Sequence, residues 1–267
     1  MVVQSQFTDV EPVRPVAGYI GGKRRLAARL VARIETVSHK TYAEAFVGMG
    51  GVFFRRRQAP AAEVINDRNG EVANLFRILQ RHYPQFMDTL RFQITGRREF
   101  ERLKASDPAT LTDLERAGRF LYLQRVAFGG KVTGQSFGVD PRGAGAFNLT
   151  RLEPLLADVH ERLAGVVIEN LDWQAFIDRY DRPETLFYLD PPYWGSEGDY
   201  GPALFGREEF EAMAERLGRL KGRFILSIND VPEIRALFAG FAQEDVELRY
   251  SISGGKGTPA RELIITA

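Results

Sequence analysis

Apolar residues recur at helical spacing in "KRRLAARLVARIETV", where Leu26, Leu30 and Ile34 share one face. They do so again in "EVANLFRILQRH", at Val72, Leu75, Phe76 and Leu79. Between these helices "TYAEAFVGMGG" reads as a strand running into glycines, and "EVINDRN" as a short strand ending in polar residues. From about residue 84 to 164 the pattern changes: a helical stretch, "LERAGRFLYLQRVAF", leads into the Gly-rich "GGKVTGQSFGVDPRGAGAF". From "AGVVIENLDWQAFI" onward strands and helices alternate again. They run through "TLFYLDPPY", a helix near 207–219, "RFILSIND", a helix near 231–239, "VELRYSIS" and "ELIITA". Such alternation predicts a doubly wound α/β sheet built from 1–83 and 165–267, interrupted by a mainly helical and loop insertion over 84–164.

Composition narrows the chemistry. Apolar residues at 44% and charged residues at 27% suit an ordinary soluble globular chain. No apolar run approaches the roughly 20 residues of a membrane span. The N-terminal "MVVQSQFTDVEPVRP" has no apolar leader core, so a cytoplasmic location is expected. The absence of cysteine excludes disulfides, thiolate zinc sites and a cysteine nucleophile. His39, His82 and His160 are far apart and read as packing residues, so no metal is expected. The net charge of +1 hides an asymmetry. Residues 1–164 carry 25 Lys+Arg against 17 Asp+Glu, and residues 165–267 carry 11 against 18. A basic first part points to a polyanionic partner.

In doubly wound sheets ligands bind beyond the carboxyl ends of strands. There, "AFVGMGG" places Gly48, Gly50 and Gly51 where a backbone can approach a ligand, and "INDRN" places Asp67 where a carboxylate can meet a ribose. The interval of roughly 15 to 20 residues is that of nucleoside-binding motifs. "YIGGKRRL" lacks the first glycine and the Ser/Thr of a phosphate loop, which disfavours a phosphotransferase. Tyr19 and Lys23 read instead as a clamp, an aromatic face with an ammonium able to meet a carboxylate. "YLDPPYWG" sets a carboxylate and two prolines directly after an apolar strand, which makes a stiff shape because proline fixes φ and has no N–H.

"YIGGK", "AEAFVGMGGVFF", "INDRN", "LYLQRVAFGG", "LDPPYW" and "FILSINDVPEIRALF" stand in the order found in Dam-type (D12 class) DNA adenine-N6 methyltransferases. The chain resembles that family from Tyr19 to its C-terminal end. The resemblance implies a Rossmann-like fold using S-adenosylmethionine, 1–83 and 165–267 as catalytic domain, and 84–164 as a region that reads double-stranded DNA. It further implies cofactor roles for Tyr19, Lys23, Asp67 and Asp190, with Phe46, Gly48 and Gly50 in the loop beside the methionine moiety. Asp190 and the Pro191 carbonyl would accept N–H bonds from the adenine amine, and Tyr193 would stack on an extruded base.

Where the family continues "NR…FNG" after "LYL", this chain has Gln124, Arg125 and "FGG", and its loop lacks the arginine–aromatic cluster of GATC readers. Lys131, Gln135, Ser136 and Arg142 are then the candidates for base edges or phosphates, with Arg97, Arg98 and Arg125 as phosphate contacts. Three assignments stay double. Asn229 and Asp230 either cap the helix starting near Pro232 or border the adenine pocket. Trp194 packs or touches a base, and Arg55, Arg56 and Arg57 form a solvated face or touch phosphates. Cytosine N4, a glutamine amide, and a catalytically silent DNA-binding module are the competing readings.

Overall fold

The stripe of Leu26, Leu30 and Ile34 is buried in the computed structural model, which describes residues 7–19, 21–23, 25–138, 145–196, 205–250 and 258–267. Each such side chain, taken from water, stabilises by about 1.5–3 kcal/mol. In chain order the elements are β1 (Thr8–Asp9), α1 (Ala27–Glu35), β2 (Thr41–Glu44), β3 (Gln58–Ala59), β4 (Ala62–Asn66) and α2 (Gly70–Arg81). Next come α3 (Tyr83–Leu90), α4 (Arg97–Ala105), α5 (Asp113–Val126) and α6 (Leu149–Arg162), in the stretch read from sequence as the insertion. Then follow β5 (Val167–Glu169), α7 (Trp173–Tyr180), β6 (Thr185–Leu189), α8 (Glu208–Leu217), β7 (Arg223–Asn229), α9 (Pro232–Leu237), β8 (Ala242–Tyr250) and β9 (Thr258–Thr266).

Seven strands form one sheet in the order β5-β4-β2-β6-β7-β9-β8. The first five are mutually parallel, as the alternation predicts. Strand β9 departs from it, running antiparallel to both β7 and β8. Every residue of β6 is buried, which explains why "TLFYL" has no polar alternation. The chain leaves β2 toward β4 on one side and returns to β6 on the other, so the gap between the ends of β2 and β6 is the switch point of the sheet.

Local signals start the helices. Thr112 and Glu115 close a capping box on α5, with Thr112 N–H donating to Glu115 Oε2 at 2.9 Å. Asn69 caps α2 by accepting from Glu71 N–H at 3.0 Å. The insertion has no separate core: Phe86, Phe100 and Leu121 belong to the same buried cluster as Tyr42 and Tyr188 of the sheet.

One buried ion group ties the insertion to the sheet. Glu63 of β4 accepts from Arg56 Nη1 at 2.6 Å and from Arg162 Nη1 and Nη2 at 2.6 and 2.7 Å. The guanidinium of Arg56 lies 3.7 Å from the Tyr42 ring centroid, and that of Arg162 lies 4.2 Å from the Phe53 centroid. Arg56 is thus 1% exposed, which corrects the reading of "FFRRRQ" as a solvated or phosphate-touching face; Arg55 is half-buried and Arg57 is exposed. His39 and His160 sit on the carbonyls of Val37 and Leu79. Among the described residues no helix is long and apolar enough to cross a membrane.

Candidate active site

A cavity of 780 Å³ opens at the switch point. That volume falls within the roughly 300–1,000 Å³ of small-molecule sites. Its wall includes Tyr19, Lys23, Phe46, Gly48, Asp67 and Asp190, so residues drawn from four separate stretches of sequence meet around one space. Arg14, Arg55, Arg68 and Arg125 also line it, and all four are at least partly exposed. The floor carries carboxyls by contrast, Glu44 buried and Asp190 18% exposed.

The floor is built around Lys23, which is 2% exposed. Its Nζ lies 2.7 Å from Asp190 Oδ1, 3.7 Å from Glu262 Oε2 and donates to the Tyr193 hydroxyl at 2.6 Å. The ammonium that the sequence offers to a carboxylate is therefore held by two of the chain's own. Ser227 Oγ also donates to Asp190 Oδ1, at 3.1 Å, and shares a 2.8 Å hydrogen bond with the Tyr188 hydroxyl. Both contacts to Asp190 fall on Oδ1, and Oδ2 accepts none among the described residues. Burial pushes the Asp190 carboxyl up to about 6, against the downward pull of Lys23. Glu44, at the end of β2, accepts from the Tyr42 hydroxyl at 2.6 Å, and burial pushes it further, to about 8.

Asp67, just past β4, accepts from Gly48 N–H and Asn69 N–H, each at 2.8 Å. One carboxylate thereby fixes both the glycine loop and the start of α2. Burial outweighs those two donors and raises the carboxyl to about 6. Gly48 has φ +49°, and a Cβ there would lie 2.9 Å from the Tyr19 ring, so only glycine lets that ring close over the loop. Gly50 instead packs on Phe54, where a Cβ would come within 2.3 Å of the ring, and it is Gly51 of this loop that lines the cavity with Gly48.

The segment after β6 is held from the side by Asn229. Its Oδ1 accepts from Trp194 N–H at 2.9 Å and its Nδ2 donates to the Trp194 carbonyl at 3.0 Å. Neither Asn229 nor Asp230 caps α9, whose cap position is Val231 without a side-chain bond. Asp230 is bound instead by Arg235, at 2.6 and 2.9 Å, which corrects the capping expectation. The Trp194 ring packs against Phe210 of α8, centroids 5.2 Å apart. Pro191 is buried, and Pro192 lines the cavity.

The insertion meets the cavity through a hairpin turn over 127–137, closed by an antiparallel bridge between Ala127 and Phe137. Gln124 Nε2 donates to the Gly18 and Gly130 carbonyls at 3.1 and 2.6 Å, and a Cβ on Gly130 would lie 2.9 Å from the Gly18 backbone. Arg125 lies in the cavity wall, donating to the carbonyls of Val16 at 2.6 Å and Ala146 at 3.0 Å. Gln135 Nε2 donates to Gln124 Oε1 at 3.3 Å and to the Lys131 carbonyl at 2.9 Å, so its amide helps shape the hairpin. Lys131, Ser136 and Arg98 are exposed, as is Arg97, whose guanidinium stands 5.1 Å from the Phe137 centroid; Arg142 lies outside the described residues.

Glu44, Ser227, Glu262 and the Asn229 clamp were not singled out in these roles by sequence reasoning. The signal for the first three is a polar residue inside an apolar strand: Glu in "TYAEAF", Ser in "FILSIN", Glu opening "ELIITA". Burying such a group is costly unless it is partnered, which is what marks it.

The sequence profile of the D12 class N6 adenine-specific DNA methyltransferases matches residues 19–252. A type II methyltransferase, M.CviBI, of Paramecium bursaria Chlorella virus NC1A is 22% identical over 256 residues, covering 95% of this chain and 97% of that protein. Another, M1.LlaDCHI of Lactococcus lactis subsp. cremoris, is 32% identical over 124 residues, or 44% of this chain and 43% of that one. A solved structure titled as a precorrin 8W decarboxylase of Methanobacterium thermoautotrophicum covers 97% of this chain and 100% of its own at 13% identity. Its TM-score of 0.39 is too low to bear on the fold. With the profile spanning most of its length, the chain belongs to the D12 class of N6 adenine-specific DNA methyltransferases.

Proposed function

We propose that the chain takes its methyl group from S-adenosylmethionine and delivers it to an adenine extruded from a specific duplex sequence. The single observation that carries this is the division of labour on Asp190. Lys23 and Ser227 hold Oδ1, leaving Oδ2 to accept an N–H of the adenine amine. That amine is a poor nucleophile because its lone pair is spread into the ring, and an acceptor fixed in advance favours a more tetrahedral nitrogen. The Pro191 carbonyl would take the second N–H, and the Tyr193 ring, steadied by its hydroxyl on Lys23, offers the stacking face.

The cavity suits the donor chemically. Asp67 can accept from ribose hydroxyls while its oxygens hold Gly48 and Asn69, the Tyr19 ring covers the glycine loop, and the rim arginines suit a carboxylate. When bound, S-adenosylmethionine supplies a methyl on a positively charged sulfur. Recognition falls to the insertion, where Lys131, Ser136, Arg97 and Arg98 present polar and basic groups. Gln135, Arg125 and Arg142 complete the proposed DNA contacts, the first two also bracing the hairpin. The type II relatives favour a role in marking sites for a restriction partner.

Labelled S-adenosylmethionine incubated with the protein and duplex DNA, followed by nucleoside analysis, tests the reading. Label in N6-methyladenine is expected. Label in N4-methylcytosine, or none in DNA, overturns it.

A further inference from the structure

Sheet register gathers three polar side chains at one place. Residues two apart on a strand point the same way, so Tyr188 of β6 and Asp190 just past its end face together. Strand β7 runs parallel beside β6, with Tyr188 opposite Ile225 and Leu189 opposite Leu226, which brings Ser227 level with Asp190. The three form a chain: Ser227 Oγ donates to Asp190 Oδ1 at 3.1 Å, and the Tyr188 hydroxyl meets Ser227 Oγ at 2.8 Å. The sense of the second bond follows from counting protons. A serine hydroxyl has one proton, and an ionised carboxylate can only accept. Ser227 gives that proton to Asp190, so Tyr188 is the donor to Ser227. The opposite sense would deprive Asp190 of a contact and leave the Tyr188 proton without its acceptor, which is costly.

Each link removes a freedom from the next. Lys23 cannot orient Asp190 by itself, because its ammonium also serves the Tyr193 hydroxyl at 2.6 Å, and a rotatable ammonium sets little direction. Ser227 adds a second direction, but a serine hydroxyl swings about its C–O bond. Tyr188 stops that swing. It is 1% exposed, in a strand whose every residue is buried, so its hydroxyl is a fixed point in close-packed surroundings. We infer that Tyr188 is a positioning residue for methyl transfer: acting through Ser227, it fixes the Asp190 carboxylate so that Oδ2 stays presented to the target amine. This rests on the Asp190 reading above. The first tyrosine of "YLDPPYWG" then belongs to the same device as the aspartate, two residues away.

Single-turnover methylation of genomic DNA free of N6-methyladenine, with labelled S-adenosylmethionine, tests this on the full chain beside calorimetry of the same donor. Tyr188→Phe removes only the hydroxyl. It should slow methyl transfer about three- to tenfold, the worth of one oriented hydrogen bond, with donor affinity within about twofold of wild type. Ser227→Ala should slow it at least as much. The double variant should be no more than about twofold slower than Ser227→Ala, because the two hydroxyls act in series, whereas independent losses multiply. Losses that multiply would overturn the proposal. So would a Tyr188→Phe rate within about twofold of wild type, or an equal loss of rate and donor affinity, which would make Tyr188 merely structural. Those two outcomes decide the matter alone if Ser227→Ala does not fold. Asp190→Ala methylating within a few fold of wild type would instead overturn the Asp190 reading itself, a result distinct from these.

Discussion

Asp190 presents one oxygen to Lys23 and Ser227, and under the proposed mechanism the other accepts from the adenine amine, which sets an expected pH response. A carboxyl raised to about 6 is protonated below that pH and then cannot accept the adenine N–H. Single-turnover methylation should therefore fall with decreasing pH through about 6, and Asp190→Ala should lose about 10²–10³-fold in rate while retaining DNA affinity. Rapid-quench assays with a DNA-binding titration check both, and a variant within a few fold of wild type would remove Asp190 from the chemistry. Glu44 makes a prediction about stability instead. The folded protein keeps on Glu44 a proton that the unfolded chain releases above about 4.5, so stability is lost as pH rises from there toward 8. At about 1.36 kcal/mol per unit the effect is on the order of a few kcal/mol. Glu44→Gln cannot titrate, so its melting temperature relative to wild type should rise between pH 5 and pH 8. A constant difference across that range would show that Glu44 is ionised throughout.

At the scale of elements, the strands and helices that are local in origin were legible and their partners were not. The stripe of Leu26, Leu30 and Ile34 names α1, and that of Val72, Leu75, Phe76 and Leu79 names α2, because both signals lie within a few turns of chain. Nothing near "ELIITA" says that it runs antiparallel between β7 and β8, since pairing is settled by residues far away. The same holds for Asn229. As a sequence "INDVPE" reads as a helix start, yet the amide reaches across to Trp194 and leaves α9 without a side-chain cap. The clamp joins the end of β7 to the segment after β6 by two hydrogen bonds of about 0.5–1.5 kcal/mol each. Asn229→Ala should slow methyl transfer about tenfold or more by loosening that segment, with donor affinity by calorimetry within about twofold. Equal losses in both would place the clamp in cofactor binding.

For the whole molecule, the insertion is bound to the sheet by charge as well as by apolar packing. Glu63 lies between Arg56, seven residues away, and Arg162, at the far end of the insertion. The sequence hid this because "FFRRRQ" has the look of a solvated face, and only the return of α6 to β4 brings the second arginine in. Breaking such a group strands buried charge, so Glu63→Gln should cost about 3–5 kcal/mol, read as a lower urea midpoint. A loss below about 1 kcal/mol would mean that water reaches the arginines.

Lys23 stands before α1 and Glu262 on β9, close to opposite ends of the sequence, yet they meet beneath one cavity. A nascent or partly unfolded chain that has formed α1, β2, β6 and the glycine loop, but has not yet added β9, lacks the contact of Lys23 with Glu262 and has an unfinished floor. Contacts of such sequence separation form against a large entropy of closure. Competence to hold the donor therefore arrives with the completed sheet, and a ligand-protected fraction in a refolding experiment counts finished molecules.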